Sequence, residues 1–273
     1  MAVLPADARC MDTELLGLQA CGPDAWLLDL ALPELLPSLA PGRFAMLSPG
    51  DGSGPLIPRP FSVYDQPQAD RLRFLIQVIG PGTRALSRLS PGSPVVCTAP
   101  LGNGFRLVAP DRPVVLLAGG VGSAPFLLYG RQRREQGAGS TALLFGARSA
   151  DRLYDHASFS DLGMDLLLAT EDGSQGFHGN VLQALEQGLD SGRFDPEARF
   201  AACGPEGLLH AFSAFARRRG LDAEISLETY MGCGVGVCNG CPVATAEDGC
   251  FGAWPYTKTC LEGPVYSVLD LVF

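Results

Sequence analysis

The sequence lacks the features of a membrane protein and of a nucleic-acid-binding protein. No segment approaches the roughly 18 consecutive apolar residues that a membrane-spanning helix requires. Lys and Arg number 20 against 29 Asp and Glu, a net charge of −9, whereas phosphate binding requires clustered basic residues. The one dense basic run, at 217–219, precedes Gly220 and is typical of a helix carboxyl end. We therefore expect no membrane contact and no nucleic-acid partner.

Export signals and histidines are scarce as well. The first ten residues contain Asp7 and lack the basic start and apolar stretch of a signal peptide, so a cytoplasmic location is predicted. The three histidines, His156, His178 and His210, stand in scattered contexts and are interpreted as surface or packing residues.

Cysteine, by contrast, is abundant and clustered. Five of the nine cysteines fall between Cys233 and Cys260. In a chain without an export signal, such clustering favours metal or redox chemistry over disulfide bonds.

The chain divides into three compositional zones, which together predict a multi-domain α+β protein. Residues 1–108 contain short β-like runs broken by Pro-Gly pairs, which is typical of an antiparallel β-barrel. Residues 109–228 alternate buried strands with helical patterns and predict a parallel α/β sheet. Residues 229–273 are rich in Gly and Cys and predict a small domain held by metal.

Four cysteines have the spacing of plant-type iron–sulfur ligands: Cys233-x4-Cys238-x2-Cys241, followed by Cys260. Four interleaved glycines would let the backbone wrap closely around a cluster. A structural zinc site is the alternative, although zinc usually takes paired C-x2-C knuckles and only Cys238 and Cys241 have that spacing. We predict a [2Fe–2S] cluster on these four residues. The remaining cysteines outside the α/β zone are predicted to be bystanders or packing residues: Cys10, Cys21, Cys97 and Cys250.

Two segments of the barrel zone are candidates for a flavin site. Arg59, Pro60, Phe61 and Ser62 follow a turn-rich stretch; an Arg there suits a pyrophosphate and a hydroxyl suits a flavin ring nitrogen. The run GPGT at 80–83 offers backbone amides and a hydroxyl for phosphate, ahead of a helix expected over 84–89. The alternatives are an ordinary strand and a plain hairpin turn.

Two strand-to-helix turns in the α/β zone are candidates for a nucleotide site. The turn GGVGSAP at 119–125, with Gly120 and Gly122, opens a helix directly after an apolar strand. It departs from G-x-G-x-x-G because Pro125 takes the place of the last glycine. The second turn contains Cys203 and Gly204 at the end of a later strand, where open α/β sheets bind ligands. Tight turns without a ligand are the alternative.

The motifs RPFSVYD, GPGTRALSRLSPG, PLGNGF, LLAGGVGSAPF, ACGPEGLL, SLETYMGCGVGVCNGC and TCLEGPVYS occur in the order found in the ferredoxin reductase superfamily. Within it, the sequence most resembles the electron-transfer subunits of class 1B, NAD-dependent dihydroorotate dehydrogenases, over nearly the whole chain. The resemblance implies a partner subunit containing FMN that oxidises dihydroorotate, as part of pyrimidine biosynthesis, in a heterotetramer. It implies no catalytic acid or base on this chain.

The resemblance also implies where cofactors bind. Cys203 would lie near the nicotinamide, although a buried strand-end thiol is an equally simple interpretation. The implied FAD-binding residues are Arg59, Pro60, Phe61, Ser62, Ile76, Gln77, Val78, Gly82 and Thr83, and the implied NAD-binding residues are Gly120, Gly122, Cys203 and Gly204.

Two other functions remain open at this point. The same three modules would serve an NAD(P)H-dependent reductase that supplies an oxygenase or a ferredoxin. A zinc-stabilised binding protein without flavin is the third hypothesis. Nucleotide choice is open too: Arg148-Ser149 after a strand would suit a 2′-phosphate or an ordinary surface loop, and the resemblance favours NAD.

Overall fold

The computed structural model describes residues 7–272. Six antiparallel strands close a barrel in the order β1-β2-β5-β4-β3-β6. The amino-terminal part of the segment screened for a signal peptide, residues 1–6, lies outside the described residues. The strands are β1 (Arg9–Ala20), β2 (Ala25–Ala31), β3 (Phe44–Pro49), β4 (Arg59–Gln68), β5 (Arg71–Gln77) and β6 (Pro94–Leu101).

Alternating side chains give the barrel its core. Buried and exposed positions alternate through the middle of β1, as a strand with one solvated face requires. Leu15, Leu28, Phe74 and Val95 are fully buried inside, together with Cys97, which is the packing residue that the sequence predicted. The antiparallel barrel predicted for the first zone is confirmed.

The second unit is a seven-stranded sheet in the order β10-β9-β8-β7-β11-β12-β15, parallel except for β15. Its strands are nearly continuous apolar runs because helices bury both faces, α2 and α3 on one and α4 and α5 on the other. The strands are β7 (Val114–Gly119), β8 (Thr141–Ala147), β9 (Asp165–Thr170), β10 (Phe177–His178), β11 (Arg199–Cys203), β12 (Ala223–Ser226) and β15 (Val265–Ser267). The helices are α1 (Pro81–Leu86), in the barrel unit, then α2 (Ala124–Glu135), α3 (His156–Asp161), α4 (Val181–Asp190) and α5 (Glu206–Arg219).

The cysteine-rich segment is tied to the second unit as well as folded on itself. It contains a short hairpin of β13 (Pro242–Ala244) and β14 (Tyr256–Lys258). Its last strand, β15, adds antiparallel to β12 of the large sheet. The division of the chain at residues 108 and 228 stays a prediction, although β15, which follows residue 228, belongs to the sheet of the second unit. Between residues 7 and 272, no helix combines the length and apolarity that crossing a bilayer demands.

The barrel and the α/β unit are joined by a buried ion pair. Arg131 on α2 donates from Nε and Nη2 to the two carboxylate oxygens of Asp65 on β4, at 2.7 and 2.6 Å. The Asp65 side chain is 1% exposed and that of Arg131 is 34% exposed. A carboxylate buried to this degree depends on its partner, because desolvation is otherwise uncompensated.

We predict that Arg131→Ala lowers the free energy of unfolding by about 3 kcal/mol, because the buried Asp65 carboxylate then loses its bidentate partner. Urea denaturation followed by fluorescence measures this. The matched control is Arg193→Ala, which breaks an exposed ion pair with Asp165 and should cost less than about 1 kcal/mol. Equal effects of the two substitutions would contradict the structural role assigned to Asp65.

Candidate functional site

The four predicted ligand cysteines lie together as two pairs. The Sγ atoms of Cys241 and Cys260 are 3.2 Å apart, and both residues are buried. The N–H of Cys238 donates to Sγ of Cys233 at 3.4 Å. Among residues 7–272, no three or more His, Cys, Asp or Glu side chains gather as the ligands of one metal ion do. The thiols of Cys241 and Cys260 would supply two ligands to one iron, and Cys233 and Cys238 would supply two to the other, as four cysteines on a [2Fe–2S] cluster require.

Backbone N–H groups lower the pKa of one of these thiols. Burial raises the pKa of Cys233, but the N–H groups of Cys238 and Val235, each 3.4 Å from Sγ, outweigh it and bring the pKa down to about 7. At Cys260, burial is the largest effect and raises the pKa to about 12. A bound metal ion deprotonates a coordinating thiol even when the pKa of the free thiol is high. The four cysteines therefore fit an iron cluster.

The cysteine loop is pressed against the barrel. Phe44 and Met46 of β3 share a buried apolar cluster with Cys241 and Cys260. Gly234 has a φ of +70°, and a Cβ placed on it would lie 2.5 Å from Cγ of Met46. Only glycine permits this backbone and this approach. The loop therefore lies directly on strand β3.

Cys250 stays apart from this arrangement. It is exposed, and its N–H donates to Oδ1 of Asp270 at 2.9 Å. Its assignment as a bystander remains a prediction.

Strand β3 is also paired with β4, the strand that carries the candidate flavin residues Arg59 to Ser62. In the β3–β4 ladder, Phe44 is paired with Ser62 and Met46 with Pro60. Phe44 and Met46 are thus neighbours of both the β4 residues and the cysteines. The predicted flavin strand and the predicted cluster loop are separated by a single strand of the barrel wall.

The two predicted flavin segments meet in space. A Cβ on Gly82 would lie 3.0 Å from Cγ and 3.1 Å from Nε of Arg59, so the arginine passes directly over this glycine. The helix expected over 84–89 instead begins at Pro81, because proline suits the first helical turn. Thr83 therefore lies within that turn, where its hydroxyl accepts from the N–H of Ile79 and Gly80 at 3.1 Å.

The segment at the end of β5 is engaged mainly by protein. Ile76 is fully buried in the barrel core. Gln77 donates to Asp24 at 2.9 Å and to the hydroxyl of Tyr154 at 3.2 Å, at the junction with the α/β unit. Val78 is half-buried just beyond the strand. These three residues stay candidates for flavin contact.

The two glycine turns of the α/β unit pack against each other. A Cβ on Gly122 would lie 2.5 Å from Cα of Gly204, and one on Gly204 would lie 3.0 Å from the backbone nitrogen of Gly119. Gly120 has a φ of +55° with open space around it. The turn after β7 and the turn after β11 thus form one backbone surface at the carboxyl edge of the sheet, where α/β proteins bind nucleotides.

Cys203 lies beneath this surface. It is 3% exposed, and burial raises the pKa of its thiol, with Glu228 adding to the effect. In the ladder it is paired with Ser226, from which the chain runs on to the cysteine loop. The structure therefore gives Cys203 the character of a buried strand-end thiol that also adjoins the nucleotide surface.

Sequence reasoning missed several residues that hold these sites together. Phe44 and Met46 carry only an ordinary strand pattern, and their position between two sites depends on strand pairing. Asp24 and Tyr154, whose hydroxyl donates to Asp24 at 2.6 Å, come from different units and are 130 residues apart. No local motif marks either pair.

Comparison with known proteins identifies the family. Residues 228–272 match the model of the iron–sulfur cluster binding domain of dihydroorotate dehydrogenase B. The electron transfer subunit of dihydroorotate dehydrogenase B (NAD(+)) from Desulforamulus reducens is 30% identical over 97% of this chain and 99% of its own. The chain belongs to this family of electron transfer subunits. The subunit of the same name from Shouchella clausii is 37% identical over 85% of this chain and 86% of its own.

Comparison with solved structures shows which known fold the chain has. An NADH-dependent reduced ferredoxin-NADP oxidoreductase superimposes with a TM-score of 0.81 at 24% identity, covering 95% of this chain and 89% of its own. The ferredoxin reductase of carbazole 1,9a-dioxygenase gives a TM-score of 0.70 at 18% identity, over 81% and 70% of the two chains. The expected ferredoxin-reductase-like fold is confirmed, as is the resemblance to dihydroorotate dehydrogenase B electron transfer subunits.

We predict that Gly122→Ala weakens NADH binding at least tenfold, because the new methyl group would push apart the two backbone turns that form the nucleotide surface. NADH titration of the purified chain measures this. Gly207→Ala is the matched control, since a Cβ there meets no atom within 4 Å, and it should leave the affinity unchanged. Normal NADH affinity in the Gly122 variant would show that the two turns are not part of the binding site.

Proposed function

We propose that this chain carries electrons between NAD(H) and the FMN-containing catalytic subunit of a dihydroorotate dehydrogenase, through FAD and a [2Fe–2S] cluster, in a heterotetramer. Two observations support this beyond family membership: the cysteine loop lies on strand β3, and the next strand carries Arg59 and Ser62. The proposal depends mainly on β3, because this one strand contacts the cysteine loop and is paired with the strand of Arg59 and Ser62.

The chemistry explains why the sites adjoin. A nicotinamide exchanges hydride, an iron–sulfur cluster exchanges single electrons, and a flavin does both. The chain's own residues supply binding and orientation. Arg59, whose guanidinium donates to the carbonyl of Ile57 at 2.7 Å, would hold the pyrophosphate of FAD together with the turn at Gly82. The four cysteines would hold the cluster against β3.

The nucleotide is proposed to be NAD rather than NADP. The hydroxyl of Ser149 donates to Oδ1 of Asp151 at 2.5 Å. A 2′-phosphate bound at Arg148 and Ser149 would therefore lie beside the Asp151 carboxylate, which already accepts from the Ser149 hydroxyl. The two negative charges would repel each other. An unphosphorylated ribose has no such conflict.

The proposal is tested by assembly and turnover. The chain, purified without air, should contain FAD, two irons and two sulfides, and NADH should bleach its flavin. Combined with an FMN-containing catalytic subunit, it should reduce NAD⁺ when dihydroorotate is added. A loaded chain that forms no complex with such a subunit, or a complex that leaves NAD⁺ oxidised, would refute the proposed partner.

The cluster assignment has its own test. We predict that Cys238→Ser strongly lowers iron and sulfide per chain, because it removes one of four ligands, whereas Cys250→Ser keeps them at the original level. Both residues are exposed, so the two substitutions are matched in burial. Iron and sulfide analysis with visible absorption measures the outcome. Loss of iron from the Cys250 variant alone would require a different ligand set.

A further inference from the structure

One carboxylate connects the end of the candidate flavin strand to the α/β unit. Asp24 lies in the turn between β1 and β2 of the barrel. Its Oδ2 accepts from Nε2 of Gln77, the last residue of β5, at 2.9 Å. The same oxygen accepts from Nη1 of Arg152 at 2.9 Å, and Oδ1 accepts from the hydroxyl of Tyr154 at 2.6 Å. The Asp24 side chain therefore joins the two units through three donors.

The main chain of Asp24 is bonded to the same strand end. Its carbonyl accepts from the N–H of Val78 at 2.7 Å, and the neighbouring Ala25 is paired with Gln77 in the ladder of β2 and β5. Both Gln77 and Val78 are candidates for flavin contact. These backbone bonds do not depend on the side chain at position 24, so a substitution there changes mainly the contact with the α/β unit.

Tyr154 belongs to the segment that follows the carboxyl end of β8. Strand β8 is paired with β7, and the turn after β7 is part of the proposed nucleotide surface. Tyr154 is 1% exposed, and a Cβ on Gly22 would lie 2.6 Å from Cδ1 and Cε1 of its ring. The absence of a side chain at Gly22 thus lets the turn between β1 and β2 lie directly on the tyrosine.

The carboxylate of Asp24 is stabilised in its charged form. Burial raises its pKa, but the hydrogen bonds from Tyr154, Gln77 and Arg152 outweigh burial and bring the pKa below its usual value. Hydrogen bonds to a charged acceptor are shorter and stronger than those between neutral groups. A neutral side chain of the same shape, such as asparagine, would therefore hold the two units together less firmly.

The relative position of the two units matters for the proposed reaction. A hydride passes between the nicotinamide and the flavin, so that one is oxidised as the other is reduced. The candidate flavin residues lie on the barrel, and the candidate nucleotide residues lie on the α/β unit. Hydride transfer requires reacting atoms about 3 to 3.5 Å apart, and a displacement of about 1 Å can lower the rate about a hundredfold. A contact between the units beside the flavin strand therefore affects the rate without touching the reacting atoms.

We propose that Asp24 is a positioning residue for hydride transfer between NAD(H) and FAD: its carboxylate, shared by Gln77 and Tyr154, fixes the barrel against the α/β unit beside the flavin strand. The inference rests on the proposed function. Asp24 acts through its two partners, one on each unit, and the contact fails when either the charge of Asp24 or the hydroxyl of Tyr154 is removed.

The test separates positioning from binding. NADH is mixed without air with the full chain loaded with FAD, and the rate of flavin reduction is followed by stopped-flow absorption. Asp24→Asn and Tyr154→Phe should each slow this step about tenfold. The FAD content and the dissociation constant of NADH, measured by titration, should stay at the values of the unmodified chain.

A double variant tests whether the two residues act through one contact. Both substitutions weaken the same bond, so Asp24→Asn combined with Tyr154→Phe should be about as slow as either single variant. A loss of about a hundredfold, the product of two independent effects, would contradict a shared contact.

A spectroscopic measurement does not depend on turnover. A nicotinamide stacked on a flavin gives a broad charge-transfer absorption at long wavelength. This band should appear when NAD⁺ is added to the unmodified chain with its flavin reduced, and it should lose intensity in both variants. The matched control is Tyr129→Phe, which removes another buried phenol, bonded to the carbonyl of Arg106 at 3.2 Å. The control should keep both the rate and the band.

The two proposals fail in different ways. An unmodified chain that binds no FAD, or whose flavin is not reduced by NADH, would refute the proposed function. Normal reduction in the unmodified chain together with unchanged rates and an unchanged band in the Asp24 and Tyr154 variants would overturn the positioning role alone. Loss of FAD or weaker NADH binding in both variants would overturn it too, because the carboxylate would then serve folding or binding.

Discussion

The arrangement of the whole molecule depends on the contact between strand β3 and the cysteine loop. Phe44 and Met46 pack on the buried ligand pair, and the same strand is bonded to the residues proposed to bind flavin. The contact requires a glycine at position 234, because a side chain there would overlap Met46. One strand thus brings two proposed redox sites within a single layer of side chains.

A second constraint fixes the backbone surface that is proposed to bind NAD. The turns after β7 and β11 approach so closely that neither Gly122 nor Gly204 has room for a side chain. The parallel neighbour of Cys203 is Ser226, the residue from which the chain continues into the cysteine loop. The chain therefore runs directly from the sheet proposed to bind NAD into the loop proposed to bind the cluster.

Sequence patterns predicted the secondary structure well where neighbouring residues determine it. Turn-rich strands indicated the barrel, and continuous apolar runs indicated buried parallel strands. The helix beginning at Pro81 was misplaced by three residues, because the capping role of the Thr83 hydroxyl becomes visible only with its partners in place. Strand β15 was absorbed into the cysteine-rich zone, since its partner β12 is about 40 residues away and three residues carry little pattern.

The sequence alone indicated the family and predicted the ligand set, because the spacing of Cys233, Cys238 and Cys241 expresses a chemical requirement that the chain meets locally. Tertiary structure decided how the sites relate to one another. Two features depend on contacts between distant segments: Arg59 crosses Gly82, and β3 lies between the strand proposed to bind flavin and the cysteines. Such contacts arise from strand pairing and packing across the chain, which no local spacing records.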